Sequence, residues 1–209
     1  MGEPTKRGQA TSTAITGGGE SMSRVSDDWA ARSGLSAILI TVPELAAYTD
    51  RWRSVSRSSA RPHLPLTELI PPHVTVLVPW VVEPTDSDVL RLRTAVTGFA
   101  PVELSFPTAG QFPNGTAWLR PEPYDTVCSL LQAVYEAFPQ CPPHGGEFPD
   151  ARPHLTISSS AQGGPTVVAE AQAALDATQA PTVELTDLGL WREGADEAWR
   201  QFGFVPLGS

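Results

Sequence analysis

The sequence predicts an α+β fold made of two matching halves, and three observations carry that prediction. The tetrapeptide His73-Val74-Thr75-Val76 returns as His154-Leu155-Thr156-Ile157, each copy preceded by a proline, Pro72 or Pro153, and each opening a short apolar run. Segments with the period of two that marks a strand alternate with segments of helical period. Their order is strand, helix, His strand, helix, two strands, and then helix, His strand, helix, two strands. The chain has 209 residues, 41% of them apolar, which is enough for one good core and, by length, for a single domain over residues 35–209.

Residues 1–34 are rich in Gly, Ser and Thr, include Gly17-Gly18-Gly19 and lack a hydrophobic period, which predicts a disordered leader. Residues 37–42 are a buried-strand run stopped by Pro43. Residues 44–55 then read as a helix with Leu45, Tyr48, Trp52 and Val55 along one side. A loop over 57–72 leads into the first His strand, 73–78. Thr85 supplies an N-cap, with Asp86 and Asp88 in the first turn of a helix that runs to Thr97 and is closed by Gly98. Residues 102–106 and 116–120 read as strands with Asn114-Gly115 as the turn signal between them. The next helix spans 124–138, where Val127, Leu130, Leu131, Val134 and Phe138 are spaced to face a core. A Pro/Gly loop over 139–151 delivers the second His strand, 153–158. Residues 166–178 are Ala-rich and helical, and 182–191 and 198–205 read as strands joined near Gly194. The two motif histidines stand 81 residues apart, so each half is long enough to be a complete α+β lobe.

Side chains two apart in a strand point the same way. Each motif therefore offers one imidazole and one hydroxyl on one face, while Val74 and Val76, or Leu155 and Ile157, point to the other. With 19 threonines in 209 residues, a histidine meets a threonine two places on about one time in eleven. His63 and His144 do not. His73 and His154 both do, in the same proline and apolar frame, and a histidine kept only for packing has no reason to bring the same hydroxyl twice.

The formal charge of −9 and the pI near 4.8 work against a protein that holds long duplex nucleic acid through a basic face and counterion release. Small or terminal substrates fit better. Thirteen of the fourteen basic residues are Arg and only Lys6 is Lys, a bias that composition of the source explains. Cys128 and Cys141 show no CxxC and no histidine at metal-ligand spacing, so both are expected as free thiols in a reducing cytosol. No segment has the pattern of a secretion signal or the 18 apolar residues of a membrane span. The expectation is a cytoplasmic protein with no membrane partner and, because a two-lobed plan needs no second copy, a monomer.

These motifs resemble those of the two-histidine phosphoesterase superfamily, and within it the 2′-5′ RNA ligase family, whose hallmark is a pair of His-x-Thr/Ser-x motifs. Residues 106–123, which contain Trp118-Leu119-Arg120-Pro121 near their end, are similar to that family's aromatic strand pair. Residues 142–156 are similar to its glycine-containing approach to the second motif, although His144 stands where the family pattern has Tyr. The resemblance covers residues 35–207. It implies two pseudo-symmetric lobes, each an antiparallel sheet with outer helices, around a central cleft that the motifs line. It also implies opening of 2′,3′-cyclic phosphates or related cyclic phosphodiesters, joining of RNA ends by some members, and no metal or other cofactor.

Such a reaction needs a base to take a proton from water and an acid to give one to the departing ribose oxygen. Imidazole titrates near 6.5, so His73 and His154 can serve as this pair, in either assignment. Thr75 and Thr156 are the candidate donors to the non-bridging phosphate oxygens. The bland readings are a capped or surface histidine and a threonine chosen for β-propensity. A metal site is disfavoured by the lack of a second histidine or carboxylate at ligand spacing within either motif. Lesser candidates are Phe112 as a base-stacking ring, His144 as a residue bordering the cleft, and Arg152 as a phosphate contact. Trp118 reads as packing. Arg51, Arg53, Arg57 and Arg61, with Trp52 and His63, form the one basic cluster, read first as a solvated helix face. The partner expected is a small cyclic nucleotide or an RNA terminus. Two other functions stay open: a non-catalytic nucleotide or RNA-end binding module, and a cyclic phosphodiesterase for a metabolite such as an ADP-ribose cyclic phosphate.

Overall fold

The computed structural model describes residues 34–60, 64, 70–148, 151–159, 161–178 and 182–208. The expected leader over 1–33, and Arg61 and His63 of the basic cluster, lie outside the described residues, as does the side chain of Arg57. Eight strands form the sheet: β1 (Ser36–Thr41), β2 (His73–Leu77), β3 (Val102–Gln111), β4 (Ala117–Glu122), β5 (Leu155–Ser158), β6 (Val183–Leu185), β7 (Asp187–Glu193) and β8 (Trp199–Pro206). Among the described residues four α-helices accompany them: α1 (Ala46–Ala60), α2 (Asp86–Val96), α3 (Tyr124–Ala137) and α4 (Pro165–Ala177).

The strand order is β6-β3-β4-β5-β2-β1-β7-β8, with each neighbouring pair antiparallel. The two His strands, β2 and β5, are neighbours at the centre, and four strands lie on either side of their seam. These sets are not the two halves of the sequence, which corrects the expectation of contiguous lobes. β1 and β2 share one side with the C-terminal β7 and β8, through the β1–β7 pair, while β3 and β4 share the other with β5 and β6. The crossing is made where the strand expected over 182–191 breaks at Thr186, so that β6 pairs with β3 and β7 with β1. Central placement of β1 follows from its chemistry: Ser36, Ala37, Ile38, Leu39 and Ile40 are all buried, and a strand apolar on both faces is stable only with neighbours on both edges and cover above and below.

One face of the sheet carries the main core. Ile38, Ile40, Val74, Val76, Leu104, Phe106, Leu119, Leu155 and Ile157 meet Leu45, Trp52, Leu92, Val96 and the Val127, Leu130, Leu131, Val134 stripe of the helices. Each fully buried Leu or Ile here contributes about 1.5–3 kcal/mol. A bulge against β1 at Ile38/Leu39 leaves Val76 without a partner across the ladder and lets Leu77 join Val74 and Val76 on the core side. A smaller cluster of Ala37, Leu39, Ile70 and Trp191 sits on the opposite face.

Local signals performed well. The Thr85 hydroxyl accepts from the Asp88 amide and the Asp88 carboxylate answers at the Thr85 amide, a capping box at the start of α2. Val127, Leu130, Leu131, Val134 and Phe138 are all buried. Val55, expected along the inner side of α1, is instead 54% exposed. Residues 43–45 form a 3-10 turn before α1 begins, so Leu45 and Val55 do not share one unbroken helical face. β3 runs longer than expected, to Gln111, because its ladder with β4 continues toward the Asn114-Gly115 turn, and β4 extends at its other end to Glu122, which pairs with Ser105.

Candidate active site

The repeated motifs bring their polar side chains to the face opposite the helices. Val74, Val76, Leu155 and Ile157 are buried, whereas His73, Thr75 and His154 are partly exposed and Thr156 is exposed. Val74 pairs with Leu155 across the seam. Extending that antiparallel register by one residue sets His73 opposite Thr156 and Thr75 opposite His154. The histidines then occupy one diagonal and the threonines the other, and such diagonal positions are about 7–8 Å apart. β1 flanks the group, with Thr41 opposite His73 and Leu39 opposite Thr75.

Both imidazoles are held in the same way. His73 Nδ1 is 2.8 Å from the Pro71 carbonyl and His154 Nδ1 is 2.6 Å from the Arg152 carbonyl. A carbonyl can only accept, so each Nδ1 carries its hydrogen and Nε2 is the ring nitrogen whose proton can come and go. The proline before each histidine fixes this approach, because its ring restricts the residue in front of it to extended backbone and aims that carbonyl. The Val42 amide donates to the Pro72 carbonyl at 2.7 Å, tying the first approach to the end of β1.

His154 has an aromatic cover. The Phe112 ring meets it edge to face at 4.7 Å and also contacts Trp118 at 5.7 Å. Trp118 stands opposite Thr156 and lies flat on Gly110, where a Cβ would come within 2.4 Å of the indole. Burial lowers the His154 pKa, against the opposing effect of its bond to the Arg152 carbonyl. His144 comes to the same place from the 3-10 turn Pro143–Gly146, in left-handed backbone at φ 51°. Its amide donates to the Val78 carbonyl at 2.6 Å and its ring packs on Phe148 at 5.6 Å. Burial, and secondarily the charge of His154, push the His144 pKa down to about 4, so this imidazole is neutral at ordinary pH.

His73, Thr75, His154 and Thr156 are thus assembled on one face, with Phe112 and His144 around His154. Arg152 joins through its main chain, while its side chain is exposed. The described members of the basic cluster, Arg51, Trp52 and Arg53, are engaged with other groups. Trp52 donates to Glu170 at 3.2 Å and stacks under Arg51 at 3.8 Å, and Arg53 is buried against Asp50 and the Ile70 carbonyl. Burial of Arg53 corrects its reading as part of a solvated face. Cys128 and Cys141 are free thiols. Among the described residues no group of three His, Cys, Asp or Glu side chains is placed to hold a metal ion, and no described helix is long and apolar enough to cross a membrane.

Sequence reasoning missed Arg120. In β4 Ala117, Leu119 and Pro121 are buried, which sends Trp118, Arg120 and Glu122 to the other face. Trp118 opposes Thr156 and Leu119 opposes Leu155, so the next step of that ladder sets Arg120 beside His154. Alternation alone could have placed Arg120 on the Trp118 face, but only the pairing of β4 with β5 puts it beside this histidine.

An antiparallel α+β sheet with helices on one face and paired His-x-Thr motifs on the other defines a class of phosphoesterase and ligase folds. The model of the 2′-5′ RNA ligase superfamily matches residues 41–197, and the chain belongs to that superfamily. Among solved structures it is similar to Escherichia coli LigT complexed with 3′-AMP, at 18% identity and TM-score 0.50 over 85% of this chain and 100% of LigT. The apo form of E. coli LigT matches at 13% identity and TM-score 0.50 over 84% of this chain and 98% of LigT. No curated protein sequence matches the chain closely enough to count as a relative.

Proposed function

We propose that the protein is a metal-independent phosphoesterase that opens 2′,3′-cyclic phosphates at RNA ends or in small cyclic nucleotides, with His73 and His154 as the acid-base pair. The observation that carries this reading is the matched clamp on the two imidazoles: each Nδ1–H is committed to a carbonyl two residues back, at 2.8 and 2.6 Å, across a register that makes the histidines diagonal neighbours.

One Nε2 takes a proton from water as the water oxygen bonds to phosphorus. The bond from phosphorus to one ribose oxygen breaks, and the other Nε2–H protonates that oxygen. The imidazoles end with exchanged protonation states, and the same step with an RNA 5′-hydroxyl in place of water, breaking the bond from phosphorus to the 3′ oxygen, is a 2′-5′ ligation. Thr75 and Thr156 donate to the non-bridging oxygens. Phe112 keeps bulk water from His154 and offers its ring at the cleft mouth, and neutral His144 serves as a hydrogen-bonding wall without adding charge. The same fold in LigT has been crystallised with 3′-AMP, a phosphate on the ribose edge where a cyclic phosphate would open. The acidic chain favours a short or terminal substrate over a long duplex, and we place it in the cytoplasm as a monomer.

The test is turnover of a 2′,3′-cyclic nucleotide in EDTA, followed by phosphorus NMR. His73→Ala and His154→Ala are each expected to lose about 10²–10⁴-fold, and wild type should show a bell-shaped pH profile. Full turnover in either variant rejects the mechanism. Calorimetric binding of the cyclic nucleotide by wild type without any product would instead mark a binding module.

A further inference from the structure

The side of the site beyond His154 carries two guanidinium groups that the acid-base reading does not use. One step beyond the Leu119–Leu155 pair the register sets exposed Arg120 beside His154, and Arg152 lies two residues before His154 with its side chain exposed. Arg120 is held before any ligand arrives. Its Nε and Nη2 donate to Glu122 Oε1 at 2.8 and 2.6 Å, and its guanidinium lies 4.8 Å from the centre of the Tyr124 ring. Glu122 is itself anchored, since its Oε2 accepts the Tyr124 amide at 2.8 Å. One edge of the guanidinium is therefore occupied, and Nη1 has no partner among the described residues. A side chain already ordered by a carboxylate and a ring loses little further freedom on binding an anion.

Arg152 converges on the same place. The Tyr124 phenol is raised chiefly by burial and by Cys128, and the two groups that pull it back are Arg152 and Arg120. Beside them, between α3 and the turn that carries His144, is a cavity of about 480 Å³ lined by Tyr124, Gln132, Phe148 and Arg152. Glu122 offsets one positive charge, which leaves the group net positive in a chain whose overall charge is −9.

We propose that Arg120 and Arg152 form a second anion subsite that takes a phosphate carried by the substrate in addition to the one being opened. Two sources share that chemistry: the 5′-phosphate of a mononucleotide and the neighbouring phosphodiester of an RNA end. The subsite rests on the proposed function for its first phosphate, and it assigns Glu122 and Tyr124 as positioning residues for Arg120.

The experiment is calorimetry with three stable probes: 3′-AMP, adenosine 3′,5′-bisphosphate, and a diadenylate ending in a 3′-phosphate. Wild type is expected to bind the bisphosphate, the diadenylate, or both about tenfold more tightly than 3′-AMP, the range of one charge-assisted hydrogen bond. Which of the two gains identifies the source. In Arg120→Gln and Arg152→Gln the advantage should shrink to below about threefold, with a much smaller loss for 3′-AMP, while Arg120→Lys keeps part of it. Glu122→Gln should reduce the advantage as well, by releasing the oriented edge. Thermal melts of each variant confirm folding, and the exposed Arg120→Lys variant supplies the comparison if Arg120→Gln melts early. No advantage in wild type, or an advantage that survives Arg120→Gln, overturns the subsite. A wild type that opens cyclic phosphates without the advantage loses the subsite and keeps the function, whereas the advantage without turnover keeps the subsite and loses the function.

Discussion

His144 makes acid stability measurable at one residue. Its folded pKa is near 4, lowered first by burial and then by His154, whereas an unfolded histidine titrates near 6.5. The unfolded chain therefore binds the proton more readily, and stability attributable to His144 is complete above about pH 6.5 and declines as pH falls toward 4. At about 1.4 kcal/mol per pKa unit the loss reaches at most about 3 kcal/mol by pH 4. His144→Asn is the informative change, because asparagine tolerates the left-handed backbone at φ 51° better than other non-glycine residues and does not titrate. Urea unfolding of wild type and variant from pH 7.5 to 4 gives the assay. The difference in unfolding free energy should change by about 2–3 kcal/mol across that window, with the variant relatively more stable at the acid end. His154, also lowered, titrates in both proteins, so the difference curve reports His144 together with its coupling to His154. Parallel curves would refute the reasoning and mean that the His144 ring is solvated in both states.

Phe112→Ala uncovers His154, so the imidazole pKa, followed by proton NMR, should rise toward its ordinary value, and the limb of the pH-rate profile that belongs to His154 should move to higher pH whichever role it plays. Gly110→Ala drives a Cβ to within 2.4 Å of the Trp118 indole. It should cost about 1–3 kcal/mol in chemical denaturation, while Gly98→Ala, with nothing within 4 Å, should not. Thr85→Ala removes the hydroxyl half of the capping box and should lower stability by about 1 kcal/mol in the same assay.

Features that depend on neighbours along the chain were legible in the sequence. The alternation in residues 73–76 and 155–157 told which face each side chain would take, because the pleat repeats every two residues until a bulge such as the one before Leu77 interrupts it. The Thr85 cap and the inner stripe of α3 are equally local, since a first-turn amide and a 3.6-residue period need no distant partner. The paired motifs were enough to single out four candidate site residues and to find the superfamily.

Strand order was not local. β1 between β2 and β7, and the hand-over at Thr186, depend on which apolar surfaces fit together across more than a hundred residues, and alternate pairings of strands with the same period look alike in sequence. His144 and Arg120 drew their significance from the same source: a histidine on a Pro/Gly turn becomes a half-buried neutral ring only when that turn folds against Val78 and His154, and an arginine in a strand becomes a neighbour of His154 only when β4 takes its place beside β5. Sequence determined what each segment offers, through periodicity and backbone stereochemistry. Tertiary structure decided which offerings meet, because burial and pairing act between residues that the chain alone leaves far apart.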